Sequence, residues 1–241
     1  ICISSIVVLT KSSSFSRDVE IDTTAYLRRF NYLPSISENS LESESELVSE
    51  NDMGIALARF QEFAGLKVTG IMDEATYKKM KQPRCGVPDF AEESTNGRQK
   101  RFSLQGGRWH KKRLTYSISG YANVRNKLTR SQVDITIRKA FNFWQAVSPL
   151  TFTKTRGHAD IMIKFAMIDG PSSILGETYY PKYGGDATFD MAEHWKFGYS
   201  TRSEINFLQV ATHEFGHAMG LGHSNARGSV MHPYYGGYDR D

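Results

Sequence analysis

Apolar positions along this chain recur at two different periods, and the change of period divides it. Residues 22–33, DTTAYLRRFNYL, read as a short helix stopped by Pro34. The stretch SISENSLESESELVSE (35–50) is rich in Ser and Glu and almost free of apolar side chains, so a mobile acidic loop is expected there. Ile55, Leu57, Phe60 and Phe63 then fall at helical spacing and predict a second helix around 53–64. After the turn GLKVTG, Asp73 opens a third helix through EATYKKMKQ, which Pro83 ends. Together these make a small all-helical unit over 18–82.

The segment DFAEESTNGRQKRFSLQGG (89–107) is polar and charged and reads as a linker. Beyond it the period shortens: RLTYSISGY (113–121), LTFTKT and ADIMIKFA alternate as strands. Between the first two, TRSQVDITIRKAFNFWQAV (129–147) opens with a T-x-x-Q capping box and carries Val133, Ile137, Phe141 and Trp144 on one face. A last helix is expected to open at Thr201, with Glu204 completing a second capping box, and to run through INFLQVATHEFGHAMG. A strand, a helix, several strands and a late helix make an α+β domain over 102–241, with 83–101 as the connection. No internal repeat is visible.

Composition narrows the class. The 241 residues include 14 Phe, 12 Tyr and 3 Trp, ample for packed cores. A net charge of +4 does not by itself indicate nucleic acid, and no nucleic-acid partner is expected. No stretch approaches the roughly 18 apolar residues of a membrane span. The opening ICISSIVVLTKSSSFS (within 1–17) reads as the tail of a signal peptide, with a buried N-terminal strand as the alternative. A signal peptide implies secretion, where an unpaired thiol is unusual. Yet Cys85, in PRCGVPD (83–89), is the one cysteine in the body of the chain.

The last helix carries the chemistry. His213 and His217 are four residues apart, so both imidazoles lie on one helix face, one turn apart, able to share one ion. Glu214 projects roughly 100° around the helix from His213, free to act as a base. Gly220 and Gly222 end the helix and let the chain return His223 to the same point. Three neutral imidazoles with an open fourth position suit a catalytic zinc. Two other readings are solvated or core histidines and a purely structural zinc. The latter needs four protein ligands and gives Glu214 no task. Met231, in SVMHP, would on its own be an ordinary core methionine.

H-E-x-x-H-x-x-G-x-x-H followed by that methionine resembles the metzincins. More narrowly, HEFGHAMGLGHS is similar to the matrix metalloproteinases, the matrixins. PRCGVPD resembles the cysteine switch of matrixin zymogens, and RFQEFAGLKVTGIMDEATYKKMKQ their helical propeptide, a peptidoglycan-binding-like three-helix unit. The resemblance covers about 53–235 and implies a metzincin protease domain with a twisted mixed sheet and two long helices. It also implies that the Cys85 thiolate takes the zinc's fourth position, its deprotonation helped by Arg84, while Gly86 lets the backbone approach the metal. Activation is then expected by a proprotein convertase at RQKR (Arg98, Lys100 and Arg101), though a solvated charge run is the plainer reading of that quartet.

Further expectations follow from the same resemblance. The specificity pocket is implied to lie between the zinc helix and PYY, lined by Gln209, Pro233 and Tyr235, and to take medium apolar side chains. Asp169, Gly170, Asp190 and Glu193 match one family calcium site, and Asp160 and Asp186 another. Matrixins carry a second, structural zinc, but here its ligand positions hold Glu177 and Thr188, and His158 and His194 do not match, so one zinc is expected. The implied substrates are proteins of the extracellular matrix, collagen among them, with proteinaceous metalloprotease inhibitors as partners and the chain a monomer. GGYDRD stops where matrixins continue into a third helix, so a C-terminally truncated, minimal type without a hemopexin-like domain is expected. That leaves a zinc-bearing but non-catalytic binding module as the competing function.

Overall fold

The computed structural model describes residues 21–34, 48–91, 107–121, 128–198 and 204–236. The expected signal remnant within 1–17 and the cleavage quartet with Arg98, Lys100 and Arg101 lie outside the described residues.

Three helices form the N-terminal unit: α1 (Thr23–Arg29), α2 (Glu50–Phe63) and α3 (Glu74–Met80). Each is started by a side chain that accepts from an otherwise unpaired first-turn amide: Asp22 from Ala25, Ser49 from Asp52, Asp73 from Thr76. Two expectations are corrected here. α1 stops at Arg29 rather than at Pro34, because Asn31 turns left-handed (φ 60°) and breaks the helical run. α2 begins at Glu50, inside the stretch expected to be a loop. Ser49 caps it, and Glu50 and Asp52 suit the positive end of its dipole. Ile55, expected on the buried face, is 60% exposed, and Ala56 turns inward beside the expected Leu57, Phe60 and Phe63.

The rest is α+β. β1 (Arg84–Cys85), β2 (Arg113–Ile118), β3 (Thr151–Lys154), β4 (Ile161–Ala166), β5 (Ile174–Thr178) and β6 (Ala187–Asp190) form one mixed sheet in the order β1-β5-β6-β4-β2-β3. All neighbouring pairs are parallel except β5–β6. α4 (Arg130–Val147) crosses between β2 and β3, opened by the complete Thr129–Gln132 capping box. β7 (Trp195–Lys196) and β8 (Ile205–Asn206) make a small parallel pair ahead of α5 (Phe207–Ala218).

α5 also departs from expectation. It starts at Phe207, not Thr201, and its cap is Asn206, whose side chain accepts from Gln209 N. Ile205 and Asn206 are held as a strand against Trp195 and Lys196, and that ladder prevents an earlier start. α4 and α5 pack through Phe141 and Phe215, stacked with centroids 3.9 Å apart and planes at 2°. Trp144 and Trp109 donate to Thr212 O (2.7 Å) and Ala218 O (2.8 Å), fixing α5 from one side. The helix bearing the HExxH pattern is therefore clamped along its whole length.

Candidate metal centre

α5 brings His213 and His217 onto one face, and the chain beyond Ala218 returns His223. Gly220 permits the return: it has φ +101°, and a Cβ there would lie 2.4 Å from Gly107 O. The three Nε2 atoms stand 3.1, 3.1 and 3.3 Å apart. Each Nδ1 faces an acceptor: Val230 O for His213 (2.8 Å), Leu221 O for His217 (2.7 Å) and Asp89 Oδ1 for His223 (2.7 Å). An imidazole that donates from Nδ1 is bare at Nε2 when neutral, so three lone pairs converge with no hydrogen between them. Burial keeps these rings neutral, with His213 lowered to about 3 and His217 and His223 also shifted down; repulsion from His223 adds to it at His213 and His217, while Asp89 opposes it at His223.

Cys85 completes the group, with Sγ 3.4 Å from His217 Nε2. All four ligand atoms lie within 4.8 Å of one another, and this is the one such cluster of three or more His, Cys, Asp or Glu among the described residues. A tetrahedral ion about 2 Å from each nitrogen spaces the nitrogens roughly 3.3 Å apart, which these rings match. One soft sulfur and three imidazoles are a zinc donor set.

Cys85 arrives there as a strand. It pairs in parallel with Gly176 of β5, while Cys85 N donates to Pro233 O (2.9 Å) and Tyr235 N to Pro83 O (2.8 Å). The segment thus lies as an extra strand between β5 and residues 233–235 and fills the groove over the histidines. Gly86 also matters for packing: a Cβ there would sit 2.7 Å from Ile174 Cγ2.

Arg84 plays the part expected of it only weakly. Its guanidinium, 1% exposed, pairs with Asp89, lies 3.5 Å over the Phe30 ring and reaches the hydroxyls of Tyr26 (2.9 Å) and Tyr234 (3.2 Å). Burial, then the Glu214 carboxylate, pushes the Cys85 thiol well above its usual pKa, and Arg84 offsets this only weakly. Only a cation among the ligands would reverse that balance.

Glu214 is fully buried beside the cluster. Thr178 Oγ1 donates to its Oε2 (2.8 Å), while Oε1 has no hydrogen-bond partner. Burial, with Glu177 adding to it, raises this carboxyl to about 7, although the nearby Cys85 thiol and the Thr178 hydroxyl oppose the shift. Met231 lies so close to α5 that a Cβ on Gly216 would fall 2.2 Å from its Sδ. A cavity of about 80 Å³ opens beside the cluster, and Gln209, Pro233 and Tyr235 line it together with Val210, His232 and Tyr234.

The acidic loops hold their carboxylates in different ways. Asp190 Oδ2 accepts from the amides of Asp169 (3.3 Å) and Gly170 (3.2 Å), and Glu193 Oε1 from Ser172 N (2.6 Å), which gathers these four residues. Burial, then repulsion from Asp190 and Asp169, raises Glu193 to about 7. Asp160 instead pairs with Lys111 (2.6 Å), and Asp186 accepts from Met162 N (2.8 Å). Glu177 and Thr188 are cross-strand neighbours, while His158 and His194 are exposed.

Comparison with known proteins matches this geometry to a family. The family model described as Matrixin matches residues 108–241, and a peptidoglycan binding domain model matches residues 24–80. This chain belongs to the matrixins. It is 46% identical to interstitial collagenase of Equus caballus over 74% of its length and 38% of the relative's. It is 35% identical to matrix metalloproteinase-15 of Homo sapiens (94% of this chain, 36% of the relative). Against matrix metalloproteinase-16 of Rattus norvegicus it is 38% identical over 87% of this chain and 37% of the relative. The chain therefore spans little more than a third of the length of these curated relatives. Matrixins use a catalytic zinc and calcium, which accords with the buried Cys–His cluster of this one. No helix among the described residues is long and apolar enough to cross a membrane.

Two residues escaped the sequence reading. Asp89 stands in the PRCGVPD motif but gave no sign that it would meet His223. Thr178 follows Gly176 on the same strand face, an alternation that becomes meaningful only once β5 is known to run beside Glu214.

Proposed function

We propose that this matrixin is a secreted zinc endopeptidase made as a latent zymogen, with 18–82 as its propeptide and Cys85 closing the metal centre. One observation carries the reading: three hydrogen-free imidazole nitrogens and the Cys85 sulfur face a single point, beside a buried glutamate that stands at no metal-ligand position. Bound there, zinc supplies Lewis acidity, polarising a peptide carbonyl and easing deprotonation of water. His213, His217 and His223 hold it. Glu214 takes the water's proton at its carboxylate and returns it to the leaving amine. Cys85 and Gly86 keep substrate and water out of the groove.

Opening requires a cut at the basic quartet, after Arg101, by a proprotein convertase recognising Arg98, Lys100 and Arg101. A peptide strand from an extracellular-matrix protein then occupies the space between β5 and residues 233–235. Gln209, Pro233 and Tyr235 receive a medium apolar side chain, while proteinaceous inhibitors compete for the same groove. Calcium occupies the loop of Asp169, Gly170, Asp190 and Glu193, whose carboxylates offer the hard oxygen ligands that ion takes. A second calcium between Asp160 and Asp186 would have to displace Lys111.

A quenched-peptide assay on the full chain, before and after convertase treatment, tests this reading. Cleavage should appear only after treatment. Glu214→Ala should lower it by roughly 10²–10⁴-fold while bound zinc is unchanged. Turnover of the variant within about tenfold of the parent would defeat the assignment.

A further inference from the structure

We propose that Thr178 is the positioning residue for Glu214, an inference that rests on the peptidase reading above. Two points of β5 hold the glutamate. A Cβ on Gly176 would lie 3.3 Å from Glu214 Cγ and 3.1 Å from Thr188 O, so the side chain passes over a place where an added Cβ would crowd it. Two residues on, on the same strand face, Thr178 Oγ1 donates to Oε2 at 2.8 Å. Thr178 is 6% exposed and Glu214 0%, so no water competes freely for that bond. The intervening Glu177 faces the other way, toward Arg29.

One carboxylate oxygen is thus tethered and the other is not. Oε1, buried without a hydrogen-bond partner, keeps its lone pairs for an incoming proton. The tether should outlast activation. β1 pairs with β5 only at Ile174 and Gly176, whereas Thr178 is laddered to Ala187 of β6, and Tyr179 N donates to Asp186 O (2.9 Å). Removing the switch strand strips one edge of β5 and leaves the edge that fixes Thr178. Without the hydroxyl, the carboxylate is free to swing from the geometry that proton transfer needs.

The test is Thr178→Val, which keeps the shape and removes the donor, made in the full chain and opened at the linker. We expect kcat to fall about tenfold, with KM and bound zinc unchanged. Thr178→Ser should recover most of the loss, and Thr178→Ala serves as the second donor-free variant if valine disturbs folding. A crystal structure of the unopened Thr178→Val chain should show the Glu214 carboxylate displaced from its seat over Gly176. A kcat within about twofold of the parent, a serine variant as slow as valine, or a carboxylate that keeps its place would each overturn the proposal. Failure of the peptidase reading looks different: the parent would then be no faster than Glu214→Ala, while the crystal structures would still report on the tether.

Discussion

The two halves of this matrixin build their cores on different terms. The protease core draws on residues from Leu114 to Ala218, and even its half-buried rim begins no earlier than Trp109. The N-terminal helical unit packs Leu27, Phe30, Leu57, Phe60, Phe63 and Met80, but its cluster also takes in Ile174 and Tyr234 from the protease side. Tyr234 is held there by the Tyr26 hydroxyl at 3.1 Å and by Lys79, 3.9 Å over its ring. Among the described residues the helical unit leans on the protease, while the protease core cluster takes nothing from the helical unit. On the zymogen reading proposed above, latency would be a one-way dependence, which a cut in the linker could end without damage to the protease.

The sharpest way to break that comparison is a matched pair of core truncations. Phe215→Ala and Phe60→Ala each empty a fully buried aromatic site and should cost about 3–5 kcal/mol. In thermal unfolding of the full chain, Phe215→Ala should destabilise both halves together. Phe60→Ala should loosen the helical unit while the protease stays folded and becomes active without cleavage. If Phe60→Ala lowers protease stability equally, the dependence runs both ways.

Arg84→Ala comes next. Removing the guanidinium leaves Asp89 a buried carboxylate with a lost partner, at a cost of about 3 kcal/mol. Burial alone would raise Asp89, but Arg84, with help from His223, holds it at about 2. The variant should show activity before cleavage, and after cleavage it should match the parent in the same assay. Unchanged latency would mean that this network does not bind the switch segment.

A smaller effect separates the halves by pH. Asp73 caps α3, and the Thr76 amide and hydroxyl lower its pKa from 3.8. A carboxyl depressed in the folded state stabilises above its unfolded pKa and loses that contribution as pH falls below about 4. Asp73→Asn keeps a capping side chain without the titration. The acid-induced loss of stability in the helical unit should therefore be shallower in this variant, with the protease transition unmoved. Identical acid profiles would contradict this.

What was legible in the sequence is what depends on local geometry. The four-residue spacing of His213 and His217 fixes two rings on one face of any helix, and Thr129 with Gln132 announces α4 in the same way. Helix starts were legible only where no strand competed, which is why α5 begins at Phe207 and not at Thr201. The contacts that hold the two halves together join positions far apart in the chain, such as Asp89 with His223 and Arg84 with Tyr234. No period or motif encodes such a meeting. The expected help of Arg84 toward the thiol is present but weak, since adjacency in sequence did not foretell that Arg84 would be paired with Asp89.

X-ray absorption at the zinc edge, on the full chain before and after linker cleavage, tests the central claim most directly. The intact chain should give a shell of three nitrogens and one sulfur at about 2.3 Å, with the sulfur lost on opening and never present in Cys85→Ala. A sulfur-free shell in the intact, inactive chain would contradict the account, because something other than Cys85 would then be keeping the enzyme silent.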